Sequence, residues 1–228
     1  MTTERLVKLP PLESGDRLSR TEFERRYSAM TNLKKAELIE GVVYVASPLR
    51  AQAHGNPHAH VITWLGVYEA ATSGVKCYDN PTVRLDADNE PQPDAVLRLM
   101  AGGRSQISED DYIEGSPELI VEIAASSASY DLHDKLRVYR RNEVQEYVVW
   151  RTYNQQIDWF YLDAGEYQSL AADSLGVFCS QQFPGLWLAG NALLSGNLSE
   201  VLRVLQQGID SPEHQAFVNG HSSLNRQS

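Results

Sequence analysis

A chain of 228 residues, 42% hydrophobic and 22% charged with no low-complexity tract, is long enough for one large buried core and excludes a disordered or fibrous class. The N-terminal MTTERLVKLPP lacks the basic-then-apolar pattern of an export signal and no apolar run reaches bilayer-spanning length, so the expected location is cytoplasmic. A net charge of −10 counts against broad, nonspecific contact with phosphate backbones, although a cluster of cation-binding carboxylates would itself add negative charge.

Residues 1–18 read as an irregular lead-in. Ser19 opens a helix, with Glu22 completing an S-x-x-E capping box and Phe23, Tyr27 and Met30 forming an apolar stripe. The β-branched run Leu38 to Val45 predicts a strand bent at Gly41 and ended by Pro48. Val61, Leu65 and Tyr68 fall at helical spacing within a second helix over residues 51–72, and shorter strands are expected near 75–79, 81–86 and 93–99. ELIVEIAA, residues 118–125, reads as a central strand buried on both faces. A helix over 131–141, with Leu132, Leu136 and Tyr139 inward, joins it to a second core strand at 145–151. Hairpin-connected strands follow over 155–181, with a turn at Asp163-Ala164-Gly165, and Asn197 caps a last helix reaching about Gln207. The pattern is one domain over 19–208, α/β or α+β in class, with a polar and mobile tail over 209–228. Cys77 and Cys179, far apart and outside any CxxC spacing, point to reduced thiols.

Chemistry is suggested where ionisable groups interrupt apolar segments. Asp94 follows Pro93 at the start of a strand. Glu122 lies inside ELIVEI, where alternation puts it on the face of Ile120 and Ala124, and a carboxylate there is costly unless paired or bound to a cation. Lys135 sits at the edge of the apolar stripe of its helix, better aimed inward than a surface lysine; the bland alternative is an i, i+4 pair with Asp131 on a solvated face. Two carboxylates on adjacent strands beside a lysine suit metal-dependent phosphodiester hydrolysis: hard oxygens hold Mg²⁺, and the lysine orients water or offsets charge at phosphorus. His54, His58 and His60 have no H-E-x-x-H pattern and no cysteine partner, so they read as partly exposed helix residues rather than zinc ligands, and His133 reads as solvent-facing. The aromatics Tyr147, Trp150, Trp159, Phe160 and Tyr161 read as strand core. Arg137, Arg140 and Arg141, on the helix after the site, are the local candidates for phosphate contact.

A resemblance joins these residues. Glu37-Leu38-Ile39-Glu40-Gly41, Ser47-Pro48 followed by His54, Pro93-Asp94, Glu118 to Ile123, Asp131…Lys135…Tyr139, Glu146 to Trp150 and Phe183-Pro184-Gly185-Leu186 stand in one order over residues 19–205. Together they resemble the "putative restriction endonuclease" family, abundant in cyanobacteria, of the PD-(D/E)XK nuclease superfamily. The resemblance implies a restriction-endonuclease-like core, a central mixed sheet flanked by helices. It also implies a Mg²⁺- or Mn²⁺-dependent endonuclease acting on DNA, with Glu37, Asp94 and Glu122 as metal ligands and Lys135 as the catalytic lysine. Lys135 would then be displaced onto a helix, because the motif's lysine position holds Ala124. Glu40, Asp131 and His54 are second-rank candidates near the same site. The chain departs from the family at Ala124-Ala125-Ser126-Ser127 and at Glu143-Val144, which bear on loop shape rather than on the acids. Cutting two strands with one site per chain favours a homodimer. The alternatives are a nuclease-fold module that binds or regulates without cutting, and a structural protein whose buried acids pair with arginines.

Overall fold

Residues 95–99, 119–124 and 146–150 are mostly apolar and buried on both faces, so each strand they form needs a covering layer on either side. That requirement sets the architecture seen in the computed structural model, which describes residues 9–46, 49–125 and 127–224. Helix α1 (Arg20–Ser28) precedes strands β1 (Ala36–Ile39) and β2 (Val42–Val45). A π-helical turn, Ala51–Gly55, leads into α2 (Asn56–Ala71), followed by β3 (Val75–Asp79), β4 (Val83–Arg84) and β5 (Ala95–Leu99). Short strands β6 (Ser105–Ile107) and β7 (Ile113–Gly115) come before the central β8 (Leu119–Ala124). The next helix is composite: α3 (Ala128–Tyr130), a π turn over Asp131–Lys135, and α4 (Leu136–Arg141). Strands β9 (Glu146–Arg151), β10 (Gln156–Asp163), β11 (Glu166–Ser169), β12 (Val177–Cys179) and β13 (Trp187–Ala189) follow. Helices α5 (Gly190–Leu194), α6 (Leu198–Ile209) and α7 (Pro212–Leu224) close the described chain.

Six strands form the main sheet in the order β11-β10-β9-β8-β5-β3. β8 and β9 are parallel, and the composite helix provides the crossover that parallel neighbours need. The other neighbours are antiparallel, so the sheet is mixed. Alternation sorts its side chains into two layers. Leu97, Leu119, Val121, Ile123, Val148 and Trp150 meet α2 and α6, while Val96, Ile120, Ala124, Tyr147 and Val149 meet Val138 and Tyr139 of α4. A third, smaller core joins Phe23 of α1 to Leu38 and Val43 of the β1–β2 hairpin.

Several expectations change on contact with the structure. Residues 38–45 are two strands rather than one bent strand. Glu40 (φ 50°) and Gly41 (φ 72°) both take the left-handed conformation that a two-residue hairpin turn requires, pairing Ile39 with Val42. Only Val83–Arg84 of the segment expected over 81–86 is strand; it joins β7 and β6 in a small sheet too short to leave a readable period. In the crossover helix the buried side chains are Asp131, Lys135, Val138 and Tyr139, whereas Leu132 and Leu136 are half-buried. Asn197 does cap α6, accepting from the Glu200 N–H at 3.2 Å, but α6 is not the last helix. The segment expected to be a mobile tail contains α7, which docks through His214, whose Nε2 lies 2.9 Å from Thr72 Oγ1, and Phe217, edge-on to Phe183. So few apolar residues anchor α7 that no helical period shows in its sequence. Cys77 and Cys179 are free thiols. Pro48, the lead-in over 1–8 and Ser126 lie outside the described residues.

The seam between α6 and the Phe183–Leu186 turn leaves no room for a methyl group. A Cβ on Gly208 would strike the Gly185 carbonyl and lie 2.8 Å from the Trp187 ring. Gly208→Ala is therefore expected to cost about 2 kcal/mol or more, read in thermal unfolding as a Tm lower by roughly 4–8 °C. Gly66→Ala, in α2 with open space at its Cβ, should leave Tm unchanged or raise it. A Gly208→Ala protein as stable as the parent would show that the seam yields.

Candidate active site

The two-residue turn folds β1 back so that Leu38 and Glu90 exchange backbone hydrogen bonds, Leu38 N–H to Glu90 O at 3.1 Å and Glu90 N–H to Leu38 O at 2.8 Å. This lacing sets Glu37 beside the segment leading to β5, where its Oε1 accepts from the Gln92 N–H at 2.7 Å. Asp94 ends that segment: its Oδ2 accepts from the Ile123 N–H of β8 at 2.7 Å and lies 3.2 Å from His54 Nε2 on the first π turn. Its Oδ1 is 3.7 Å from Lys35 Nζ. Glu122 projects from the middle of β8 into the α4 layer. There its Oε1 accepts from Lys135 Nζ at 2.7 Å and from the Tyr139 hydroxyl at 2.9 Å. The same ammonium donates to Glu37 Oε1 at 2.9 Å and sits 3.8 Å from Asp131 Oδ1. Asp131 Oδ2 accepts from Ser127 Oγ at 2.5 Å.

Lys135 is 3% exposed. Its i, i+4 contact with Asp131 is therefore interior, and the solvated-face alternative does not describe it. Glu37, Asp94, Glu122, Asp131, His54, Lys35 and Lys135 all line one cavity of about 390 Å³ at the margin of the main sheet. Arg50, Tyr130 and Tyr153 complete its rim, and the Lys135 ammonium lies 5.4 Å from the centre of the Tyr130 ring.

The charges of this cavity are far from independent. Burial pushes the Asp94 carboxyl up, but the hydrogen bond from His54, the Lys35 charge and the Ile123 N–H together outweigh it and hold it low, at about 2. Burial pushes the Glu122 carboxyl up, to about 8; the Lys135 ammonium pulls it down, while Asp94, Asp131 and Glu37 add to the rise. Burial likewise raises Asp131 against the pull of Lys135. Burial disfavours the charge on Lys135, yet Glu122, Glu37 and Asp131 surround it so closely that its pKa stands well above the ordinary lysine value. One cation holds acids that repel each other.

The structure brings Glu37, Asp94, Glu122, Asp131, Lys135 and His54 together. His54, expected to be partly exposed, is buried because the π turn rotates it onto Asp94. His58 bonds the Asp94 carbonyl at 2.9 Å and reaches Asp79 at 3.1 Å, outside the cavity lining. Glu40 is not brought in: it stands on the exposed hairpin turn, paired at 3.3 Å with Arg137 and with Arg141. The guanidinium groups of Arg137, Arg140 and Arg141 meet Asp134, Glu166 and Asp86 on the surface, and none lines the cavity. The basic groups that do line it besides Lys135, Lys35 and Arg50, went unnoticed in the sequence. For Lys35 a signal existed, since it lies two residues before Glu37 and strand alternation places both on one side. Arg50 carried none. Among the described residues, no three acids, histidines or cysteines converge as a ready-made cation cage. Lys135 stands between Glu37 and Glu122, and His54 occupies Asp94.

The mixed sheet with helices on both faces is a nuclease fold. A crystal structure titled as a putative nuclease belonging to DUF820, from Anabaena variabilis, matches it with a TM-score of 0.57 at 13% identity, covering 75% of this chain and 97% of that one. At that identity the likeness shows the fold alone. Residues 20–191 match the Uma2 family, described as "Putative restriction endonuclease", and the chain belongs to that family. The comparison with curated proteins gave no match. No helix among the described residues is long and apolar enough to cross a membrane.

Removing the shared cation should expose its role in the fold. Lys135→Met leaves Glu37, Glu122 and Asp131 facing one another without an ammonium, a loss on the order of 3 kcal/mol at pH 8. Carboxyls raised in the fold take up protons that the unfolded chain has released, so the stability of this variant should climb as pH falls from 8 toward 5. Urea unfolding at both pH values checks this, and an equal loss at pH 5 and pH 8 would mean that charge repulsion is not its cause.

Proposed function

We propose that this protein is a metal-dependent endonuclease that hydrolyses phosphodiester bonds in DNA. The observation that carries the reading is the cluster of Glu37, Asp94, Glu122 and Asp131 with Lys135 around a single cavity at the sheet margin. The donor chemistry fits Mg²⁺ or Mn²⁺: the acids offer only hard oxygens, and they outnumber the ammonium groups in contact with them, Lys35 and Lys135. Glu37, Asp94 and Glu122 would hold the ion, Glu122 giving up its proton on binding, and the ion would polarise the phosphate and lower the pKa of water.

The chain's own residues supply the rest. Asp94 stays ionised at neutral pH because His54, Lys35 and the Ile123 N–H outweigh its burial, so its ligand oxygens are available without a proton being removed. Lys135 stays protonated among its acids; its three N–H donors can position an attacking water and offset negative charge at phosphorus. Tyr139 fixes the orientation of Glu122 through its hydroxyl. Lys35 and Arg50 place positive charge along the cavity for the substrate's phosphates. A cytoplasmic homodimer, with one such site per strand of a duplex, completes the reading.

A second reading has one observation in its favour. Lys135 already donates to both Glu37 and Glu122, so these acids are hydrogen-bonded without an added ion, as suits a nuclease-fold module that binds without cutting.

Calorimetric titration of Mn²⁺ into the protein and into Asp94→Asn/Glu122→Gln, with supercoiled-plasmid nicking alongside, separates the two. Saturable binding and nicking that both disappear in the double variant are expected, with Lys135→Met lowering nicking by roughly a hundredfold or more. Ion binding without nicking would select the second reading. No binding by the parent protein would overturn the metal-dependent one.

A further inference from the structure

Beside the acidic cavity lies a second one of about 340 Å³, within the range of small-ligand sites. Its walls differ in character. Pro57 and Leu193 make it apolar on one side, while Trp150, Thr152 and His60 contribute polar atoms. Trp150, near the end of β9, and Thr152, in the turn that follows, are buried at 4% and 8% exposure, and both line this cavity. Trp150 Nε1, Thr152 Oγ1 and His60 Nδ1 are all cut off from solvent without a hydrogen-bond partner. Such groups cost free energy unless something satisfies them, and three of them on residues that line one cavity favour a polar guest that draws them out. His60 Nε2 lies 3.4 Å from the Asn56 amide nitrogen, on the outer side of the ring. The lining residues thus carry an indole N–H donor, an imidazole and a hydroxyl able to donate or accept, which a turn of the side chain would bring to a guest.

The two cavities are neighbours. Tyr153 lines both, its ring is 57% exposed, and its hydroxyl accepts from Arg50 Nη1 at 3.1 Å. A strand whose phosphate is held at Arg50 would present its adjacent base to Tyr153 and the second cavity. Stacking on an aromatic ring with hydrogen bonds to the base edge is how an unstacked base is recognised. We propose that the second cavity is a subsite for one unpaired nucleobase, stacked at Tyr153 and bound by an edge whose carbonyl oxygens or ring nitrogens accept from the Trp150 indole, with His60 and Thr152 meeting its other polar atoms. This deepens, and rests on, the reading of the chain as a nuclease acting on DNA.

The test needs neither metal nor cleavage. The four 2′-deoxynucleosides, and 2-deoxyribose as a base-free control, are titrated into ¹⁵N-labelled protein while the four indole N–H resonances are followed. The Trp150 resonance is assigned by its loss in Trp150→Phe. A saturable shift of that resonance with at least one deoxynucleoside, and none with deoxyribose, is expected. Asp94→Asn should give the same shift. Thr152→Val should bind at least fivefold more weakly without losing thermal stability, since its hydroxyl has no partner to lose. No shift at millimolar deoxynucleoside, a shift shared equally by all four indoles, or unchanged affinity in a folded Thr152→Val would overturn the subsite and leave the cavity to solvent only. A protein that binds deoxynucleoside but never nicks DNA keeps the subsite and loses the catalytic reading. One that nicks but fails to bind does the reverse.

Discussion

The ammonium of Lys135, buried between Glu37 and Glu122 with Asp131 close by, ties three separate pieces of chain: the β1–β2 hairpin, the central strand β8 and the crossover helix. Each piece places an acid where burial alone would not tolerate one. Dehydrating four ionisable groups is expensive, and their mutual attraction recovers that cost only if the cation contacts several acids at once. Lys135 meets this condition by donating to Glu37 and Glu122 in the same geometry. An arrangement of this kind does more to fix how hairpin, strand and helix meet than to add stability. An apolar trio of similar volume would hold the pieces together but would define no cavity.

Two π turns give the cavity three of its side chains, His54, Asp131 and Lys135. Ala51–Gly55 carries His54 onto Asp94, and Asp131–Lys135 carries both of its terminal residues inward. A π turn widens the helix and shifts the phase of the residues that follow. In the crossover helix the consequence is direct. Leu132 and Leu136, which regular spacing puts on the inner side, are displaced by Asp131 and Lys135, and the apolar contact resumes at Val138 and Tyr139. The charged pair is thus seated where an undistorted helix would have placed leucines.

This also explains what could be read from the residues alone. Glu122 was legible because an acid interrupts an apolar strand at a position whose face alternation determines. The β8–helix–β9 unit was legible because two apolar runs flank a helical segment of crossover length. Lys135 was legible as an inward residue, but its depth was not, since the widened turn that buries it leaves no periodic trace. The same lack of local signal hid Arg50 and the docking of α7. Arg137, Arg140 and Arg141 illustrate the opposite failure. Their charge was plain, but their direction depends on Glu40, Asp86 and Glu166, acids distant in sequence that the fold brings to the outer face.

The net charge of −10 then takes on a different meaning for a protein proposed to act on DNA. Lys35, Arg50 and Lys135 gather at the cavity, while the arginines of the crossover helix pair with neighbouring acids. A net negative charge repels the phosphate backbone at long range, so sliding along DNA by nonspecific phosphate contact is disfavoured. Productive engagement must come from a few contacts made at one place. A strand whose phosphate sits at Arg50 and whose unpaired base enters the cavity beyond Tyr153 makes both contacts at once. A regular duplex, with its bases stacked, makes only the first. If the proposed function and subsite hold, the net negative charge would act as a source of selectivity, against continuous duplex and toward locally opened DNA that the two neighbouring cavities could hold.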